Sequence, residues 1–369
     1  MSESILIAGA GPSGLTAAIE LYRRGMPARI IDKASNFAEQ SRAIGVNPRT
    51  LAILEPSGVT ERLLAEGTRI ERAFLHFGGS TARSGRTARL DFAELDTPYR
   101  FMLALPQSRT ERLLNEALTG LGGRVEHETA FLGMERADDG LRCRIESPDG
   151  ETTIIAEHLI GADGARSTVR EQAGIAFPGD SLDHDWTIAD VVMDWPYPPN
   201  ELHVFFDDTG FLFTITMGHD RFRLVSPGAS PEAWLPKGAV INQDIWRSSF
   251  RVHHRQVPTY QVGRVSLAGD AAHVHSPMGA RGMNMGIADA ATLAWLLSEG
   301  REAEYSAIRH PVGKSTIAMV RRQTLQATTG WQRRLAGVVA PLALRVPAVH
   351  RFATRFVTGL ADPEPGWLQ

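Results

Sequence analysis

The sequence has a single cysteine, Cys143, in 369 residues. One thiol cannot close an internal disulfide and offers no pair for dithiol chemistry, which fits a reducing cytoplasm, the expected location. Lysine is nearly as scarce: Lys33, Lys237 and Lys314 are the only three among 39 basic residues. Against 42 acidic residues the formal charge is −3, a balance that gives no reason to expect nucleic acid as a partner. The arginine excess reads as codon bias. No uninterrupted apolar run reaches the roughly 20 residues of a membrane span, so no stable membrane insertion is expected. No secretory leader is expected either, because the start enters a strand almost at once. There is no internal repeat and no low-complexity stretch.

What the chain does hold is glycine, 35 residues of it, gathered in part into three separated segments. The first is Gly9 to Gly14. The second runs from Gly161 through Asp163, Gly164 and Arg166 to Arg170. The third is Gly269 to His273, continuing to Gly279 and Asn284. Ile5 to Ala8 reads as a buried strand, Leu15 to Tyr22 as a helix ended by Gly25, and Ala28 to Ile31 as a second strand. This βαβ context raises the first segment from a weak fingerprint to a strong one. Gly9 permits the tight turn, Gly11 lets backbone approach a pyrophosphate, and Gly14 lets helix pack on strand. Asp32, 18 residues beyond Gly14, stands where an acid holds ribose hydroxyls.

Further along, Thr50 to Leu54 continues a short helix that starts near Asn47-Pro48 and stops around Pro56-Ser57-Gly58. Phe74 to Phe77 and Ala88 to Phe92 alternate like strands, and Ser108 to Glu111 reads as a capping box opening a helix over Arg112 to Leu118. Arg124 to His127, Phe131 to Arg136, Leu141 to Glu146 and Thr152 to Ile155 read as strands, and Leu159-Ile160 leads into the second segment. From Asp180 to Val257 the pattern becomes that of an antiparallel sheet, and Ile287 to Leu297 is again helical. The expected fold class is α/β: a Rossmann-like FAD-binding domain over residues 1–72, 100–178 and 262–369, with C-terminal helices, and an inserted antiparallel-sheet substrate domain over 73–99 and 179–261. The basic, partly amphipathic stretch from Trp331 to Phe356 is expected to pack as helices on the FAD domain rather than touch a membrane.

Asp163 and Gly164 can serve cofactor hydroxyls or fix nearby backbone, and Arg166 and Arg170 can pair with Asp163 or phosphate. Asp270 follows the buried run Val265 to Ala268, at the carboxyl end of a strand, where ligands of open α/β sheets bind. The glycines from Gly279 to Asn284, with Gly282 and Met283 between, would let backbone N–H groups face an anion. His273 and His275 lack a third ligand, so no metal site is expected.

These residues carry a resemblance. Over most of its length the chain resembles the para-hydroxybenzoate hydroxylase family, the class A FAD-dependent aromatic monooxygenases, of the glutathione-reductase fold type. The resemblance implies FAD and NAD(P)H as cofactors, with O2 and a small aromatic or polyketide-like substrate as partners, and hydroxylation through a flavin C4a-hydroperoxide. It also implies that Gly9, Gly11, Gly14, Asp32, Lys33, Arg42, Gln107, Asp163, Gly164, Gly269, Asp270, Gly282, Met283 and Asn284 bind cofactor. Arg42 sits in Ser41-Arg42-Ala43, where the family's arginine contacts and moves with the flavin. Gln107 and Arg109 match the pair at the ribityl-phosphate region. Pro277 would line the reaction site, with Gly279 opening the loop that stabilises negative charge on the flavin. Asp32-Lys33 replaces the family's usual Glu-Arg, and the chain matches compact members without a thioredoxin-like domain. A reductase or halogenase on the same fold, and a non-catalytic binding protein, are the rivals; a homodimer is left open.

Overall fold

Apolar runs bounded by glycine become parallel strands here because only burial on both faces accommodates neighbours such as Ile5, Leu6 and Ile7, each 1% exposed or less. The computed structural model describes residues 2–37, 39, 43–78, 86–138, 140–207, 209–228 and 230–368. The chain begins with β1 (Ser2–Ala8), α1 (Pro12–Arg23), β2 (Arg29–Ile31), β3 (Gly45–Val46), α2 (Pro48–Leu54), α3 (Val59–Glu66) and β4 (Thr68–Ile70). It continues through β5 (Arg72–Phe77), β6 (Arg86–Asp91), β7 (Met102–Ala104), α4 (Gln107–Gly120), β8 (Val125–Glu126), β9 (Ala130–Ala137), β10 (Gly140–Ser147), β11 (Gly150–Gly161) and α5 (Thr168–Gln172). Next are β12 (Gly179–Asp194), β13 (Glu201–Phe206), β14 (Phe211–Gly218), β15 (Arg221–Pro227), β16 (Val240–Gln256), β17 (Gln261–Val262), β18 (Val265–Leu267) and β19 (His273–Val274). The helices α6 (Gly282–Ser298), α7 (Tyr305–Thr328), α8 (Gly330–Ala343) and α9 (Pro347–Val357) follow.

In the first sheet β18, β11, β1, β2 and β8 lie side by side and pair in parallel. The order places β1 between two strands far from each other in sequence, which makes a switch point. Helix α1 packs on this sheet and against α4 and α6, and the largest apolar core lies there. The expected strands Thr152–Ile155 and Leu159-Ile160 are one continuous strand, β11, because its first half pairs with β10 and its second half with β1 and β18. Helix α4 starts at Gln107, earlier than the capping-box reading. The Pro106 carbonyl accepts from Arg109 N at 2.9 Å and Thr110 N at 3.1 Å, so Ser108 and Glu111 fall inside the first turn.

The second sheet has the order β19-β16-β12-β15-β14-β13-β5-β6. The expected antiparallel pattern holds except between β13 and β5, which run parallel, so the inserted sheet is mixed. Its inner face looks toward the FAD domain: Ile215, Ala73 and Leu90 pack with Met102 and Ala104 of the small sheet β3-β7-β4 and with Ile44 just before β3. Its outer face carries Phe205, Leu212, Phe222 and Leu224.

The C-terminal helices depart from expectation. Helix α7 packs on α6 and β16, but α8 lies against β5 and β6, and α9 against β6. Ala336, Ala340 and Leu344 fill the core under the inserted sheet with Phe77, Val204 and Phe206. Small residues at 336, 337 and 340 permit that approach; a Cβ at Gly337 would lie 3.1 Å from that of Phe77. Among the described residues no single helix is long and apolar enough to cross a membrane.

Candidate active site

Parallel pairing of β1, β11 and β18 sets their carboxyl ends in a row, so the three glycine segments meet although they lie more than a hundred residues apart in sequence. Gly9 turns with φ +101°, and a Cβ there would sit 2.3 Å from the Ala162 carbonyl oxygen of the second segment. A Cβ at Gly14 would sit 1.9 Å from the Gly9 oxygen, so α1 packs this closely only with glycine. A Cβ at Gly11 would meet no protein atom within 4 Å. The space beside it is a crevice of about 240 Å³ lined by Gly9, Gly11, Asp32, Lys33, Asp163 and Gly164. Gly11 is also the residue that precedes α1, whose first N–H groups are unpaired within the helix and point to this opening.

The acids do more structural work than sequence alone discloses. Asp32 accepts from Ala10 N at 2.7 Å and Ala34 N at 2.8 Å, bracing the first turn while lining the crevice. Asp163 accepts from the Ser167 hydroxyl and from Val169 N at 3.1 Å, and Ser167 in turn caps α5. Burial pushes the Asp163 carboxyl up, against the pull of these donors. Arg170 is buried and donates to the carbonyls of Ala165 and Ala271, at 2.9 and 3.1 Å, tying the second segment to the third. It is therefore directed at carbonyls rather than at Asp163 or phosphate.

The third segment lies on the other side of α1. A Cβ at Gly269 or at Gly286 would come within 2.3 Å of the Ser13 hydroxyl oxygen, so α1, the Gly269 turn and α6 converge on one notch. Asp270 is exposed at the end of β18. Behind it, Asp289 of α6 is fully buried and accepts from His273 Nε2 at 2.6 Å and Arg309 Nε at 2.7 Å. Burial pushes the Asp289 carboxyl up, but Arg309 and His273 outweigh it and hold the group below its ordinary value. Sequence reasoning missed Asp289 and Arg309, which lie 20 residues apart. His273 is a hydrogen-bonding residue, and no cluster of metal-ligating side chains occurs among the described residues.

The loop expected at Gly279 to Asn284 is shorter than anticipated, since Gly282, Met283 and Asn284 already form the first turn of α6. Gly279 has φ +81° and follows the exposed Pro277. The Asn284 side chain is buried and committed to backbone: it donates to Gly45 O at 2.9 Å and Ala280 O at 2.7 Å, and accepts from Asn47 N at 2.9 Å. It thereby fastens the α6 N-terminus to β3. Ala43 O accepts from Gln107 N at 3.0 Å and from Arg223 at 3.2 Å, and the Gln107 side chain donates to Glu111 at 2.7 Å. Arg109 turns away, to Glu66. Ser41 and Arg42 lie outside the described residues.

On the inserted sheet, alternation decides which side chains face the flavin side. Phe213 and Met217 point to the inner face, near Met278 and Ala280. Phe205 lies on the outer face, and Thr214 and Thr216 alternate with the inner residues, so these three do not line the cavity. Arg223 is buried, 1% exposed, and bidentate on Asp190 with both contacts at 2.7 Å, neither a solvated strand arginine nor one available to a substrate carboxylate. His254 of β16 is buried.

Residues 2–235 and 230–319 match the family described as FAD binding domain. The chain is 33% identical to 6-methylpretetramide 4-monooxygenase of Streptomyces rimosus, over 97% of this chain and 68% of that one. Among solved structures, the OxyS anhydrotetracycline hydroxylase from Streptomyces rimosus superposes with a TM-score of 0.82 at 27% identity, covering 99% of this chain and 77% of that one. The fold is also that of p-nitrophenol 4-monooxygenase PnpA from Pseudomonas putida DLL-E4, with a TM-score of 0.86 at 22% identity over 97% of this chain and 98% of that one. With three glycine segments joined at one switch point and a mixed sheet facing them, the chain belongs to the FAD-binding-domain family and is a class A FAD-dependent monooxygenase of aromatic and polyketide substrates.

Proposed function

We propose that the chain hydroxylates a polycyclic, polyketide-like aromatic substrate with NAD(P)H and O2, with FAD laid from the Asp32 crevice across α1 to the first turn of α6. The observation that carries this reading is the crevice beside Gly11, where the lack of a side chain opens space next to the N–H groups of a helix N-terminus. The residues present fit FAD. Gly9, Gly11 and Gly14 bring backbone up to the pyrophosphate, while Asp32 and Lys33 flank the adenosine end. Asp163 and Gly164 form the opposite wall. Gln107, Gly269 and Asp270 serve the ribityl chain. When bound, FAD supplies acceptance of hydride from NAD(P)H and transfer of one oxygen atom from O2 to an electron-rich ring.

The protein supplies position and charge. The N–H groups of Gly282 and Met283 sit at the positive end of a 17-residue helix, where negative charge is favoured. Asn284 keeps that end beside Gly45. Pro277, Gly279 and Met278 border the reaction side, with Phe213 and Met217 opposite as an apolar wall that excludes water. Arg223, locked by Asp190, holds Ala43 and with it the segment in which Arg42 contacts the cofactor. The single, buried Cys143 supports a reducing cytoplasm as the working compartment.

The test is purification followed by flavin spectroscopy and paired measurement of NAD(P)H and O2 consumption. A yellow protein whose consumption rises with a fused-ring phenolic polyketide more than with a monocyclic phenol is the expected result. A colourless protein that refuses FAD ends the reading, and stimulation by monocyclic phenols alone ends its substrate clause.

A further inference from the structure

Helix α8 is apolar on two opposite faces. Its inner face, Ala336, Gly337, Ala340 and Leu344, is packed under the inserted sheet. Its outer face carries Trp331, Leu335, Val338 and Leu342, spaced i, i+4, i+7 and i+11, and these are 67%, 55%, 44% and 60% exposed. Val346, Val349 and Phe352 extend the exposed apolar strip onto α9. The two helices meet at a 115° bend. A contiguous apolar face of this kind is unusual on a protein surface that nothing covers.

Charge identifies what covers it. Between Glu304 and Asp362 the chain has nine Lys and Arg residues and no Asp or Glu, within a protein whose total charge is −3. Arg334, Arg345 and Arg351 are exposed beside the apolar strip. From another part of the chain, Glu94 lies 3.7 Å from His350. A second copy would bring the same cationic face against itself, whereas an anionic lipid surface complements both the charge and the apolar strip. Neither helix spans a bilayer: α8 has 14 residues and α9 has 11, and the inner face is held by the sheet. Trp331 has the amphipathic ring that favours the headgroup region.

We propose that the outer face of α8 and α9 docks the enzyme peripherally on an anionic bilayer. The inner face of α8 shares its core with Met278, next to Pro277, so docking sets the lipid surface one helix away from the substrate side. Vesicle binding is read without turnover, so its failure is separable from failure of the hydroxylase reading.

The experiment is co-sedimentation of the FAD-loaded enzyme with phosphatidylglycerol–phosphatidylcholine vesicles and with phosphatidylcholine vesicles. Brominated-lipid quenching of tryptophan and size-exclusion light scattering accompany it. Binding to the anionic vesicles, weakened by salt, is expected. Leu335→Glu with Leu342→Glu lowers partitioning by roughly tenfold or more, as does Arg334→Glu with Arg345→Glu, with flavin content unchanged. Trp331→Leu keeps binding and loses quenching. Wild-type enzyme that stays in the supernatant overturns the proposal, as does equal partitioning onto both vesicle types. A dimer that the Leu335/Leu342 pair of substitutions converts to monomer overturns it in favour of a second copy.

Discussion

Replacing Asp289 by alanine removes the carboxylate that pairs with two buried donors. Arg309 is 4% exposed and His273 1%, and both aim at Asp289, from α7 and β19 respectively. Leaving a buried charge without its partner costs about 3–5 kcal/mol. The same carboxylate lies 3.4 Å from Gly269 N, so the turn that presents Asp270 loses its support along with the ion pair. The cost is therefore expected in two readouts. Urea unfolding of the FAD-free protein at neutral pH loses about 3–5 kcal/mol, and FAD titration by fluorescence shows affinity weakened by about tenfold or more, since about 1.4 kcal/mol of that loss at the site is sufficient. Asp289→Asn, which keeps an acceptor but not the charge, falls between. The depressed carboxyl also fixes a pH dependence: its contribution is present above the unfolded carboxylate value near ~4 and is lost as pH falls below it. An Asp289→Ala apoprotein within about 0.5 kcal/mol of wild type, with FAD affinity unchanged, would refute the reasoning.

Gly11→Val and Gly14→Ala separate ligand space from packing. The first fills open crevice, so FAD is lost while the unfolding midpoint of the apoprotein stays; the second drives a methyl into the Gly9 carbonyl, so both fall, as differential scanning fluorimetry with and without FAD will show. On the outer face of the inserted sheet, burial lowers His76 to about 4 and, with the neighbouring His76 charge added, His203 to about 3. The unfolded chain takes up protons first, near ~6.5, so stability is complete above that pH and declines as pH falls toward 4. The double substitution to phenylalanine, which suits a stack containing Phe74 and Phe205, flattens the melting temperature between those limits; an unaltered slope would count against the histidines.

Local rules made much of this site legible. The Gly9 turn and the stop of α1 at Gly25 each depend on a few adjacent residues, and each formed where the sequence placed it. The start of α4 was misplaced because a proline carbonyl, not the Ser108 side chain, receives the first helical N–H groups. The setting of Arg223 was not legible for a different reason. Whether a strand arginine meets solvent or a buried carboxylate depends on register, and β15 sets Arg223 opposite Asp190 of β12.

By itself, then, the sequence determined three glycine-rich turns, the strands leading into them and the cofactor class they serve, because backbone freedom and apolar runs act over short range. Only the tertiary structure decided that β1, β11 and β18 are neighbours, that Asp289 anchors the Gly269 turn, and that α8 turns one apolar face to the sheet and the other outward. Those features depend on which distant segments pair, and hydrogen bonds are allotted among groups that meet only once the chain has closed on itself.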